Sequence, residues 1–307
     1  MSALLDVGPV THLRSVEVDA SPPPGGRDTE RTRLAVSQVL LALSVLLTWS
    51  LAYLFVLSDL EQGHSQGALY EQLRSELAEG TAPTAAPIPL GSPVALMSMP
   101  DIGVKDLVVV EGSRSTQLQD GPGHVLGSVL PGQQGVSVVA GRSLSFGAPF
   151  AGIAELAAGD KITVTTGQGE FVYDVLGPRR KGDPVPAALT EGAGRLTLVS
   201  AARSDGLGGL QASQTIYVDA TLAEGAVTAS QVATSDLDTN LMSAGADTTS
   251  LALLALTLQL LVAALVAFSW AWGRWSRPAA WIAVAPCVLA ALWLVSSIGS
   301  RLLPGLI

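Results

Sequence analysis

Residues 161–176 read KITVTTGQGEFVYDVL, two short runs rich in β-branched and aromatic residues around Gly167 and Gly169. This composition is typical of two β-strands joined by a turn. Similar runs recur through the middle of the chain, with glycine or proline in nearly every gap: 94–97, 107–110, 136–139, 161–166, 171–176, 196–199 and 215–218. The pattern predicts an all-β barrel or sandwich, with one short helix at 151–156.

The segments on either side of this region are apolar. The whole chain is 48% hydrophobic and only 14% charged, whereas a soluble domain carries about a quarter charged residues. The excess is concentrated in three uncharged runs, 34–58, 250–272 and 281–300. Each run is near the length of about 20 residues that a helix needs to cross a hydrocarbon core. The sequence therefore predicts three transmembrane helices.

The arginines predict the orientation of these helices. Arg31 and Arg33 precede the first run, and Arg274 and Arg277 lie in the short loop between the second and third. Because cytoplasmic loops are enriched in arginine and lysine, we expect a multi-pass cell-membrane protein with a cytoplasmic N-terminus and an extracytoplasmic β-domain. The first run begins at Leu34 and is too long for the apolar core of a signal peptide, so we expect it to remain as an anchor.

These predictions divide the chain into nine segments. They are a cytoplasmic tail (1–33), a first span (34–58), an extracytoplasmic helix with a Pro/Ala-rich linker (59–92), the β-domain (93–222), a second linker (223–249), a second span (250–272), a cytoplasmic loop (273–280), a third span (281–300) and an extracytoplasmic tail (301–307). Leu69, Leu73 and Leu77 recur at helical spacing, so the helix at about 60–77 can simply continue the first span outward.

Charge and cysteine content exclude several functions. Residues 59–249 hold 21 acidic and 10 basic residues, a net charge of −11, which argues against a nucleic-acid partner. The only cysteine, Cys287, lies inside the third apolar run, so the outer domain has neither a disulfide nor a thiol nucleophile. No zinc-ligand spacing, Walker loop or dinucleotide fingerprint occurs, and no cofactor is expected.

Six short motifs in the β-domain point to a known family. In chain order they are Gly121-Pro-Gly-His124, Leu130-Pro-Gly-Gln133, Ala140-Gly-Arg142, Phe146-Gly-Ala-Pro-Phe150, Leu156-Ala-Ala-Gly-Asp160 and Leu196-Thr-Leu-Val-Ser200. Over about residues 93–222 the chain resembles the sortases, especially the class E-like forms of actinobacteria. The resemblance implies an eight-stranded β-barrel with its site at one end of neighbouring strands.

The resemblance also implies where the catalytic residues should be. Sortases are Cys-His-Arg transpeptidases that act on LPxTG-like signals. At the family's histidine position this chain has Arg142, at the cysteine position it has Ala201, and the family's arginine falls near Gln214. The resemblance therefore identifies a degenerate member without the catalytic triad, and we expect no catalytic residues.

Neighbouring residues do not supply a substitute. Arginine stays protonated in proteins and cannot act as a base. Ser200 precedes the lost thiol by one residue, and in a strand its side chain turns to the opposite face. The barrel region's only histidine, His124, belongs to a turn motif, and a Ser200–His124 hydrolase is disfavoured. Arg142 is predicted to bind an anionic ligand, to pair internally, for example with Asp205, or to reach solvent.

These considerations favour a non-catalytic binding or assembly module at the cell surface, as a subunit of an envelope complex. Its expected partners are other membrane or cell-envelope proteins, with an extended, sorting-signal-like peptide as a further candidate. One alternative is a divergent sortase-like transpeptidase or hydrolase with changed chemistry, or one completed by a partner chain. A second alternative is a purely structural spacer.

Overall fold

The structure is a computed structural model that describes residues 26–201, 214–229, 248–300 and 302. The chain divides into two compact units, Met1–Thr48 and Trp49–Ile307. The described part of the first unit is helical and belongs to α1, Gly26–Ala52. The second unit contains the β-domain and the remaining helices.

Eight strands form the β-domain. They are β1 Pro93–Met99, β2 Val104–Glu111, β3 Gly123–His124, β4 Gly135–Ala140, β5 Lys161–Thr166, β6 Gly169–Arg180, β7 Gly194–Ala201 and β8 Thr215–Leu222. They close into a barrel in the order β1-β2-β3-β4-β7-β8-β6-β5. Most neighbouring strands are antiparallel, but β2 with β3 and β4 with β7 are parallel. The predicted eight-stranded barrel is confirmed.

Alternation along the strands builds the barrel interior. In β5 the residues Ile162, Val164 and Thr166 are buried, while those between them are more exposed. Because successive side chains of a strand point to opposite faces, one face of each strand contributes to a shared apolar core. Phe150, with 1% of its surface exposed, packs into this core from the loop after β4.

The seven runs noted in the sequence each lie within a strand. The strand that the sequence did not indicate is β3, which is only two residues long and contains Gly123. A Cβ atom at Gly123 would lie 2.0 Å from the carbonyl oxygen of Gly112, so the close approach of two backbones requires glycine there. The helix expected at 151–156 is a 3₁₀ turn, Ile153–Glu155.

Helices flank the barrel in the chain. A π-helical turn, Tyr53–Leu57, joins α1 to α2, Ser58–Glu79, so the outer helix does continue the first apolar run. A short helix α3, Gln117–Asp120, lies between β2 and β3, and two long helices follow the barrel: α4 Thr248–Arg274 and α5 Arg277–Ser300.

Among the described residues two helices, not the expected three, are long and apolar enough to cross a membrane: Thr248–Arg274 and Pro278–Ser300. In place of the predicted first span at 34–58, the described part of the chain has a shorter apolar helix, Leu43–Ala52. The π-helical turn directly follows it.

Candidate active-site region

Three neighbouring strands bring the predicted positions together. In the parallel pair β4–β7, Ala140 lies opposite Val199, which places Arg142 beside Ala201 just beyond the end of β4. In the antiparallel pair β7–β8, Ala201 lies opposite Thr215, next to Gln214. Arg142, Ala201 and Gln214 therefore meet at one end of the barrel, which we call the site end. The motif order had implied this juxtaposition.

Ser200 and Ala201 point in opposite directions, as expected for consecutive residues of a strand. Ala201 belongs to a small buried cluster with Leu118, Val125, Ala140 and Val199, separate from the main core. The Ser200 hydroxyl is fully buried and donates a hydrogen bond to the carbonyl oxygen of Gly141 at 2.7 Å. Ser200 therefore faces away from the side of the strand to which Ala201 points.

Arg142 is the largest fully buried side chain of the described structure, with 0% of its surface exposed. Its guanidinium donates hydrogen bonds to both oxygens of Ser115, at 2.9 and 3.1 Å, and to the Leu118 carbonyl at 3.1 Å. It also donates to the Ser145 hydroxyl at 3.2 Å and lies 4.9 Å from the centre of the Phe146 ring. One side chain thus joins the loop after β2 to the loop after β4.

Burial also changes the pKa of the Arg142 guanidinium. Removal from water disfavours the charged form and lowers the pKa of Arg142 to about 10. The guanidinium therefore stays protonated at neutral pH, and neutral oxygens and an aromatic face solvate it. The proposed internal partner Asp205 lies outside the described residues. In this conformation the guanidinium has no exposed surface with which to meet an external ligand.

His124 lies in β3 and is held on both sides. Its Nδ1 is 2.9 Å from the Glu111 carboxylate, and both side chains are buried. Its Nε2 is 2.9 Å from the Val129 carbonyl and 2.9 Å from the Ser128 hydroxyl. The Ser128 hydroxyl also lies 2.8 Å from the Val125 carbonyl, to which it can donate. The hydrogen bonds described for His124 thus connect it to these residues and not to Ser200.

No sequence motif groups Glu111, His124 and Ser128, and only the fold brings them together. The carbonyl of Val129 can only accept a hydrogen bond, so its position favours a proton on Nε2. With a proton on Nε2, that nitrogen presents no lone pair to the Ser128 hydroxyl and cannot take a proton from it. The arrangement is therefore better suited to fixing β3 between β2 and β4 than to general-base catalysis.

Metal binding has no basis in the part of the chain that the structure describes, where no three His, Cys, Asp or Glu residues form a candidate site. Cys287 lies exposed on α5, in a helix apolar enough to span a membrane.

The closed barrel, its strand order and its site end define a class of proteins, and comparison with known families identifies it. Residues 97–223 match the family model described as the sortase domain. The chain therefore contains a sortase-like domain, which covers these residues and not the helices on either side. No curated protein matches the sequence. The class E-like subtype stays a prediction.

Solved structures show the same likeness. The sortase D5 transpeptidase of Clostridium perfringens is 22% identical, with a TM-score of 0.43, over 52% of this chain and 99% of that one. Sortase E of Streptomyces avermitilis is 28% identical, with a TM-score of 0.38, over 45% and 91%. Sortase F of Corynebacterium diphtheriae is 22% identical, with a TM-score of 0.39, over 47% and 90%.

Proposed function

We propose that this protein is a non-catalytic member of the sortase family that acts as a binding or assembly module in the cell envelope. The observation that carries the proposal is the chemistry at the site end. The residue in the nucleophile position, Ala201, has no nucleophilic atom, and the residue in the base position, Arg142, is a buried cation that cannot accept a proton. The degenerate triad rests on the motif alignment and is part of this proposal.

Transpeptidation tests the catalytic half of the proposal. The full chain in detergent micelles is incubated with a fluorogenic LPxTG-like peptide and an amine acceptor, beside an active sortase as a positive control. We expect no cleavage or transfer above the buffer rate, because the residues of a catalytic unit do not leave proportional activity when they are lost together. Turnover that disappears in Ser200→Ala would contradict the proposal.

The second candidate is a hydrolase with changed chemistry, and one observation favours it. Glu111, His124 and Ser128 follow one another at 2.9 Å and 2.9 Å, the order of groups in a Ser-His-acid triad. The nearby Val129 carbonyl weighs against it, since it favours a protonated Nε2. An esterase assay with a short-chain nitrophenyl ester separates the two candidates: activity lost in Ser128→Ala would support the hydrolase.

We also propose the topology that accompanies this role: three spans, a cytoplasmic N-terminus, and a barrel and C-terminus outside. The arginines that flank the apolar runs support it. Further support comes from the last residue of α5, since Ser300 accepts a hydrogen bond from Gln119 of α3 and thus lies on the barrel's side. Labelling of Ser276→Cys by an impermeant maleimide in intact cells, on a Cys287→Ser background, would contradict this topology.

Envelope proteins are the proposed partners, and two helices that are long and apolar enough to cross a membrane support this proposal. Purification of the tagged full chain from native membranes in mild detergent tests this. Specific co-purification of membrane or secreted proteins is the expected result. A chain that purifies alone at native expression levels would favour the structural spacer.

A further inference from the structure

The membrane-proximal helix α2 presents one continuous stripe of buried and half-buried residues to the barrel. Its members are spaced by four, four, three, four and four residues, the repeat of one helix face: Ser58, Gln62, Gln66, Leu69, Leu73 and Leu77. The C-terminal half of the stripe consists of leucines, and Leu73 is almost completely buried. The N-terminal half of the stripe, which follows the apolar segment, is polar. Helix α2 packs against β1, β2 and α3.

The Gln66 side chain forms hydrogen bonds with the part of β2 that the short strand β3 does not reach. The β2–β3 ladder covers only Val110 and Glu111 of β2, which leaves Val108 without a strand partner on that side. The Gln66 amide takes this place: its oxygen accepts from the Val108 N–H at 2.9 Å, and its nitrogen donates to the Val108 carbonyl at 3.0 Å. The same nitrogen donates to the Asp120 carbonyl at 2.8 Å.

The first turn of α2 forms hydrogen bonds with the loop after β4, which contains two further contacts of Arg142, Ser145 and Phe146. The Ser58 hydroxyl accepts from the N–H of Phe146 at 3.2 Å, and the Asp59 carboxylate accepts from the N–H of Gly147 at 2.8 Å. A Cβ atom at Gly147 would lie 2.0 Å from the Gln62 amide oxygen, so glycine permits this close approach. Helix α2 therefore touches both loops that Arg142 joins.

The last turn of α5 also forms hydrogen bonds, with the end of α1, with α2 and with α3. This otherwise apolar helix has three serines in its last five residues, and each bonds outside the helix. The Ser296 hydroxyl accepts from the Trp49 indole at 3.1 Å, Ser297 donates to Glu61 at 3.3 Å, and Ser300 accepts from Gln119 at 2.9 Å. Tyr53 donates to the other oxygen of Glu61 at 2.7 Å.

We propose that the site end of the barrel is a docking surface for the chain's own helix α2 and the last turn of α5. This docking closes the rim of the site to a substrate peptide and fixes the barrel to its membrane helices as one unit. The hydrogen bonds that hold α2 and α5 to the barrel reach strand β2, helix α3 and the loop after β4. These polar groups keep their hydrogen bonds only while the helices stay in contact with the barrel, because after separation water must replace each partner.

Hydrogen–deuterium exchange on the full chain in detergent micelles tests the docking. The amides of Val108, Phe146 and Gly147 are protected by α2 side chains, so peptides covering 104–111 and 143–150 report on it. We expect Gln66→Ala to speed exchange in 104–111 by about tenfold, while peptides from β7 stay protected. Gln72→Ala is the matched control, because Gln72 lies exposed on the same helix and bonds only within it, to Glu76.

A second variant keeps the test decisive if Gln66→Ala unfolds the barrel. Asp59 is exposed and bonds to Gly147, so Asp59→Ala should speed exchange in 143–150 alone. Fast exchange of 143–150 in the unaltered chain, or equal rates in Gln66→Ala and Gln72→Ala, would overturn the proposal. Peptide turnover with protected amides would contradict both the proposed function and the closure of the rim, whereas fast amide exchange without turnover would overturn the docking alone.

Discussion

The barrel interior and the site end are both buried, but opposite kinds of side chain fill them. The interior holds Phe150, Ile162, Leu198 and their apolar neighbours, which need only fit together. The site end holds the Arg142 guanidinium among serines and backbone carbonyls, where every donor must meet an acceptor. An apolar core tolerates changes of shape that conserve volume, whereas a buried cation depends on each of its hydrogen bonds.

The largest expected loss of stability comes from the interior. Phe150→Ala removes a ring that is 1% exposed and also packs against Gly141. We expect a loss of about 3–5 kcal/mol, because the cavity adds to the lost transfer free energy. Phe150→Leu, which retains most of the apolar volume, should cost clearly less. Denaturant unfolding of the full chain in micelles measures both, and equal losses would show that the ring does not pack as described.

Arg142→Ala tests the polar side of the comparison. It leaves the carbonyls of Ser115 and Leu118 without this donor, and we expect a loss of about 2–3 kcal/mol. Arg142→Lys should also destabilise the protein, since lysine lacks the planar fork that reaches several oxygens at once. The exposed Arg180 provides a control in Arg180→Ala. If thermal stability were unchanged in Arg142→Ala while partner capture fell, Arg142 would be a ligand anchor after all.

A smaller, pH-dependent effect is expected at Tyr173, a polar group inside the apolar interior. Its hydroxyl accepts a hydrogen bond from the Gly132 N–H at 2.6 Å, and burial raises the pKa of Tyr173 to about 12. The unfolded chain loses this proton near pH 10, so the contribution to stability is complete below pH 10 and declines as the pH rises towards 12.

Tyr173→Phe should cost about 1 kcal/mol at neutral pH, since the Gly132 N–H loses its acceptor. It should also flatten part of the alkaline decline. Unfolding curves at pH 8 and pH 11 measure both effects. Parallel pH profiles for the two proteins would contradict the assignment of the raised pKa to Tyr173.

The smallest effect is expected on the outer surface, at the Lys161–Asp174 ion pair between β5 and β6. Both side chains are substantially exposed, so water and salt screen the attraction. We expect Asp174→Asn to change the free energy of unfolding by no more than about 0.5 kcal/mol, with less effect at high salt. A loss of stability as large as that of Arg142→Ala would show that solvent exposure does not predict the strength of this ion pair.

The strands could be predicted from the sequence for a physical reason, whereas the position of the candidate site was inferred from the resemblance to sortases and stays a prediction. Alternation of apolar residues is a local property of each strand, and motifs such as Ala140-Gly-Arg142 and Leu196-Thr-Leu-Val-Ser200 lie at strand ends that neighbour each other in the barrel. The absence of a thiol at Ala201 is likewise a matter of residue identity. The two-residue strand β3 has no such periodic signal, and only its pairing with β2 and β4 reveals it.

The state of Arg142 was decided by tertiary structure alone. Its hydrogen-bond partners Ser115 and Leu118 lie more than 20 residues away, in the loop after β2 and in the short helix α3, and nothing local distinguishes a buried arginine from an exposed one. The same holds for Gln66, which acts as a strand partner only because β3 ends early and α2 passes beside β2. Sequence determined which chemistry is present at the site end, while the packing of loops and helices determined that this chemistry is enclosed.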